Sequence, residues 1–452
     1  IGASTPLTTL TLQGTGLNTL SGDINTSGAV DLKGTTRKNI FAANRIITTT
    51  NSSGNGNITL GTTNSAYSLT LNAGSGSVSL GALGTTADSQ TGVPLASVTI
   101  TGTGTNTLAG SISSTGNVNL GTGRATSITS SLTVGSGSGA MTLGDLTLAN
   151  GISLVLGDAG SGNISVASIT GQSGGTSNVT FSNSGTVNVS GDLKTGIGTL
   201  WLNKVAGNVT FAGSTQVTQL RTDGSATYNL SLTGASNSIA SFYTSTPFET
   251  TGTVTIGDEA TDSFTYSGGA FAPTSPATLS LAGTIITSNA TAGNGAVTLG
   301  DANTAVTLGA GLTINTSASN SNITIASSAS IAGAGKALTL NAGTGTISLT
   351  SALSGMGNLS FTANEANWTA AIAGTGTLTL KPTTATNVIN IGASSDAGTS
   401  TLDILASELA LLGNTFTGVT IGGGSQSGNI SIAAASTFAS PVIFTTSGST
   451  VL

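Results

Sequence analysis

Residues 10–32 (LTLQGTGLNTLSGDINTSGAVDL) return without a gap at residues 98–120 (VTITGTGTNTLAGSISSTGNVNL). Twelve of the twenty-three positions are identical, and four more exchange within Val/Leu/Ile or Ser/Thr. A second match is wider apart: SLTLNAGSGSVSL at 68–80 reappears as ALTLNAGTGTISL at 337–349. A looser form with one residue inserted, LVLGDAGSGNISV, stands at 154–166. Self-similarity of this kind admits few architectures, because one supersecondary unit must bury its apolar face against copies of itself.

The unit is a short strand. NITL (57–60), SVSL (77–80), NVNL (117–120), NVTF (178–181 and 208–211), TVTI (253–256) and NISI (429–432) alternate two apolar residues with polar ones. One face is therefore buried and the other wet. Gly-Ser, Gly-Thr, Asn-Gly and Gly-Asn pairs separate the strands and suit sharp corners. Strands of about four residues are too short for stable hairpin sheets, so stacking of successive coils is expected. The 88-residue offset between the repeats divides into about four coils of ~22 residues, each with room for three strands.

The pattern predicts an all-β chain: a right-handed parallel β-helix (β-solenoid) with about 22 residues per coil, running over 1–452 as a single continuous shaft. At ~4.8 Å per coil, roughly twenty coils make a rod on the order of 100 Å long. A string of β-sandwiches would need longer strands and aromatic cores spaced by domain, which the sequence lacks. Two stretches stand apart. Residues 236–277 break the rhythm with Phe242, Tyr243, Phe248, Phe264, Tyr266, Phe271 and three prolines. Their aromatics either fill the core or, in Phe242, Tyr243, Phe248, Tyr266 and Phe271, contact a partner. Residues 374–452 form terminal, motif-bearing coils.

Composition narrows the function. Charged residues make up 6% of the chain, so its surface must be hydroxyl and amide rather than ionic. There is no Cys and no His, which excludes disulfides, thiolate or imidazole metal sites and His-dependent triads. The absence of Cys fits export through a periplasm. The net charge of −6 offers no basic face for nucleic acid. Lys33, Arg37, Lys38 and Arg45 form the one local positive excess, read as a solvated loop or a polyanion contact. No apolar run approaches the ~18 residues of a membrane helix, so no membrane span is expected. The opening IGASTPL, without Met, reads as a piece of something longer.

Catalytic chemistry has little to work with. Of the sixteen acids only four are glutamates, Glu249, Glu259, Glu365 and Glu408, and many aspartates sit in turns beside Gly. No carboxylate pair with a supporting Lys or Arg recurs at coil spacing, so no catalytic residue, no cofactor and no enzyme activity are expected. Asp258, Glu259 and Asp262 are the best metal candidates, although their spacing matches no EF-hand loop. Tripeptides such as Asn57-Ile-Thr and Asn163-Ile-Ser look like glycosylation sequons but follow from strand alternation. Trp201 and Trp368 either stack on sugars or fill the core.

Near the end, STLDILASELALLGNTFTGVTIG (400–422) places Leu405, Leu409, Leu412 and Phe416 at helical spacing. A short helical corner is predicted near 407–413, with Ser407 as N-cap, Glu408 in the first turn and Leu409 and Leu412 turned inward. Gly413 or Asn414 ends it.

Residues 68–102 and, more specifically, 374–422 resemble the repeats of very large bacterial exoproteins of the filamentous-haemagglutinin type. The resemblance rests on Leu380, Pro382, Ile391, Gly392, Leu402, Glu408, Leu409, Phe416, Ile421 and Gly422, and departs at Ala393 and Ser394. It makes Ser407, Glu408, Leu409, Leu412 and Phe416 a structural corner motif. It also implies a β-helical fibre shaft of a large surface adhesin, exported across the outer membrane to the cell surface, serving attachment, cell–cell contact or biofilm matrix. Implied partners are neighbouring coils of a longer chain, other copies end to end, and host or bacterial surface glycans. The alternative is a subunit of a self-assembling extracellular filament or sheath. An ice-binding solenoid and a polysaccharide-active β-helix enzyme are lesser alternatives.

Overall fold

The computed structural model describes the chain apart from residues 3, 35, 52–53, 86–91, 225, 290, 292, 433–435 and 452. Parallel strands stack in coils as a β-solenoid of about 18 turns, about 23 residues apart. The single helix among the described residues is Ala406–Leu409. Contacts group the chain into two compact units, Ile1–Tyr228 and Asn229–Leu452.

In the first unit each coil presents three strands. Leu10, Val30, Ile58 and Val78 stack on one face. Leu69, Val98, Val118, Met141 and Ile164 stack on the second, and Ile112, Val134, Leu156 and Phe181 on the third. The apolar member of each pair points inward, so Val30, Ile58, Val78, Val98 and Val118 are each 0% exposed.

This geometry corrects the expectation of four coils per 88 residues. Leu10 lies on the first face, whereas its repeat counterpart Val98 lies on the second. Corner loops vary in length, so Val30 pairs with Ile58 but Ile58 pairs with the nearer Val78. The repeat spans three whole coils and two further faces. It tolerates the rotation because all three faces ask the same of a strand: two inward apolar residues facing one shared core.

Two features hold the coils in register. At one corner of the first unit Gly116, Gly139, Gly162 and Gly185 stack so closely that a Cβ on Gly162 would fall 1.8 Å from the carbonyl oxygen of Gly139. No other residue fits that approach. Beside this column, asparagine side chains reach up one coil. Asn117 Oδ1 accepts the Ala140 N–H at 2.9 Å, and Asn163 Oδ1 accepts that of Thr186 at 3.2 Å. The same bond recurs from Asn57 to Ser77 in the first unit and from Asn322 to Thr346 in the second. The sequon-like tripeptides thus supply an acceptor for a strand's leading N–H.

The first unit also buries polar groups against the alternation rule. Asn18 and Asn106, equivalent positions of the repeat, are 8% and 1% exposed. Asn106 Oδ1 accepts a 2.8 Å bond from Nε of Arg124, itself 1% exposed. The rest of that guanidinium donates to the carbonyls of Gly74, Thr101, Gly76 and Thr105, with no carboxylate partner among the described residues. Burial pulls its pKa down from the ordinary arginine value.

In the second unit Leu312, Leu338, Leu359, Leu378, Val419 and Val442 stack on one face, with Ile323, Ile347 and Ala366 on another. Between 236 and 277 the coils continue, Ile239 pairing with Tyr266. Near the end the rhythm changes. Thr377 pairs with Gly418 and Ile389 with Ile430, both 41 residues on, so an extra segment is inserted in one step of the stack. Within it Val388–Ala393 pairs in parallel with Thr401–Leu405, placing Asn390 beside Asp403.

Candidate functional site

The inserted segment brings acids together. Glu365 sits in the strand Leu359–Trp368, Asp403 at the centre of Thr401–Leu405, and Asp396 on the connection between the doubled strands. One carboxylate oxygen from each lies within 4.8 Å of the others, the only such trio of potential metal ligands among the described residues. Glu365 and Asp403 are each 1% exposed, while Asp396 is at the surface.

The three acids are held differently. Asp403 is fully engaged: Oδ1 accepts from Asn390 Nδ2 at 2.8 Å, and Oδ2 from the Ala397 N–H at 2.7 Å and the Thr401 hydroxyl at 2.8 Å. Asp396 accepts from Asn367 Nδ2 at 3.3 Å and from the Gly398 N–H. Glu365 Oε1 accepts the neighbouring Ala366 N–H at 2.8 Å, but its Oε2 is buried with no hydrogen-bond partner. Burial first, then the charge of Asp396, pushes Glu365 up to about 8. No lysine or arginine pairs with any of the three among the described residues. A glycosidase pair must face a sugar, and two acids at 1% exposure admit none.

Glu408 borders this cluster. Its Oε1 accepts the Trp368 backbone N–H at 3.0 Å and its Oε2 that of Leu405 at 2.9 Å. Burial pushes its pKa up, against these two donors, which favour the charged form.

The helical corner differs from its expectation. The helix is Ala406–Leu409, and Leu405, not Ser407, occupies the cap position with extended backbone. A leucine side chain accepts nothing, so the Glu408 carboxylate reaching back to the Leu405 N–H does the capping, and Ser407 is exposed within the helix. Leu409 and Phe416 are buried at 7% and 4%, while Leu412 is half-buried and bridges to Ile372.

The other candidates separate. Phe242, Phe248, Tyr266 and Phe271 pack on one another, with Phe242 and Phe248 centroids 4.9 Å apart. All four are buried, so they cannot meet a partner; Tyr243 alone of the five shows its ring, at 54%. Asp262 Oδ2 accepts the N–H groups of Asp258 and Glu259, which makes it a turn organiser. Burial, then the hydrogen bond and charge of Asp262, raises Asp258. Trp368 is buried at 3%. Trp201 instead points outward and carries the Arg221 guanidinium 4.0 Å above its ring. Arg45 pairs with Asp23 at 4.0 Å; the Arg37 side chain lies outside the described residues.

The acidic trio escaped the sequence reading because residues 365, 396 and 403 follow no coil spacing. One signal was present: Asp403 interrupts the apolar run Leu402–Leu405, where an outward acid has no reason to be sheltered. The fold places this chain among parallel β-solenoids. No protein-family model, curated protein or solved structure matches it. Among the described residues no helix is long and apolar enough to cross a membrane.

Proposed function

We propose that this chain is a non-enzymatic structural shaft of a large secreted bacterial exoprotein of the filamentous-haemagglutinin type, displayed at the cell surface for attachment. The observation that carries the reading is the coil stack and its neutral exterior. Thr59, Ser79, Thr107, Ser127 and Thr147 run outward in one register row of the first unit, five successive coils each adding a hydroxyl. Such a stack extends by adding coils without a new core, which is what a spacer requires. The resemblance of 374–422 supports the same reading, since its Glu-Leu and Phe positions are buried at the helical corner.

The test uses antibodies raised against this chain on cells of its native source. A surface label and a polypeptide far larger than 43.4 kDa are expected. A 43.4 kDa product confined to the cell interior would overturn the proposal. Uniform surface polymers built from a 43.4 kDa band would replace it with the filament-subunit reading.

A further inference from the structure

We propose that Glu365, Asp396 and Asp403 bind a Ca²⁺ ion that locks the inserted segment onto the coil beneath it. The proposal is independent of the shaft reading. Three carboxylates whose oxygens converge within 4.8 Å repel one another unless a cation or protons intervene. Among the described residues neither Lys nor Arg supplies that charge. The second, separate observation is Glu365 Oε2, an acceptor sealed in the interior of a 1%-exposed residue that makes no hydrogen bond of normal distance and angle, although the Asp403 backbone N–H faces the carboxylate. An orphaned buried acceptor calls for a missing partner, and this one is on a carboxylate of the converging set.

The donor set is all oxygen, which suits a hard cation. Ca²⁺ takes 6–8 oxygens in loose geometry, whereas Mg²⁺ holds its waters and demands a regular octahedron. Two buried acids leave little room for a hydration shell, and the third sits on a connecting loop that can adjust. The Thr401 hydroxyl, already on Asp403 at 2.8 Å, adds a further oxygen at the edge of the site. The three acids come from two separate strands and a loop, so an ion here ties Leu359–Trp368 to Thr401–Leu405.

The experiment treats the whole chain with EDTA, then titrates Ca²⁺ by calorimetry and Tb³⁺ by luminescence excited through Trp368, which shares a strand with Glu365. One Ca²⁺ per chain is expected, with Kd of about 10⁻⁴–10⁻³ M. Tb³⁺ emission should be displaced by Ca²⁺ and persist in Trp201→Phe. Glu365→Gln should weaken binding at least about tenfold. Asp396→Asn, at an exposed position that leaves the fold intact, should do the same if Glu365→Gln fails to fold. The proposal falls if ~10 mM Ca²⁺, well above the weakest expected Kd, gives neither heat nor a rise in Tm, or if Asp396→Asn binds as the parent does. An equal response to Mg²⁺ overturns the choice of ion.

Discussion

Trp368 donates to Glu408 twice, once from its ring and once from its backbone. The Trp368 indole N–H donates to the Glu408 carbonyl at 2.8 Å, and the Trp368 backbone N–H donates to the Glu408 carboxylate at 3.0 Å. Side chain and backbone of each residue are used, so the short helix is pinned to the coil strand 40 residues earlier in the chain. Glu408→Gln leaves one acceptor facing two N–H donors, and should cost about 1–3 kcal/mol. Trp368 is buried, so its fluorescence should shift to the red as the corner loosens. Unchanged emission and an unchanged urea midpoint would show that the pair contributes nothing.

The glycine column predicts a sharp contrast between two alanine substitutions in the first unit. In Gly162→Ala the new methyl meets the Gly139 carbonyl at 1.8 Å, and in Gly123→Ala it meets nothing within 4 Å. Forcing the backbones apart should cost about 1–3 kcal/mol or more, while the open site should change stability by about 0.5 kcal/mol or less. Denaturation midpoints measured side by side check the difference. Equal midpoints would mean the coils are not in contact at this corner.

Arg124→Met should be among the most damaging substitutions in the first unit. It strips a partner from Asn106 Oδ1 and from the carbonyls of Gly74, Gly76, Thr101 and Thr105. A buried acceptor left without its donor typically costs about 1–3 kcal/mol, and several lose one here. Arg124→Lys keeps the charge but loses the planar fork, so it should rescue only in part. Amide exchange across 101–106 should accelerate in both variants, more in Met. Protection left as in the parent would show that the guanidinium is not what holds these coils.

Most of the stack was legible because a solenoid is nearly one-dimensional. NITL, SVSL and NVTF state their own burial, and coils repeat the statement until the fold has no competitor. The Asn positions of these strands were legible as outward polar residues; their bonds to the next coil were not, because Asn163 and Thr186 meet only once the coils are stacked. Asn106 and Arg124 were invisible for a related reason. Alternation assigns polar residues to the outside, and only a neighbouring set of carbonyls makes an inward arginine tolerable.

The sequence by itself determined the strand unit, the parallel coil and a neutral exterior, since each follows from which residues within a few positions are apolar, polar or glycine. Tertiary structure decided where the repeat sits on the three faces, because corner-loop lengths set that phase and the strands are indifferent to it. It also decided the acidic trio. Glu365, Asp396 and Asp403 become neighbours only because the chain places Val388–Ala393 against Thr401–Leu405 before moving on, a step written in long-range pairing rather than in any local pattern.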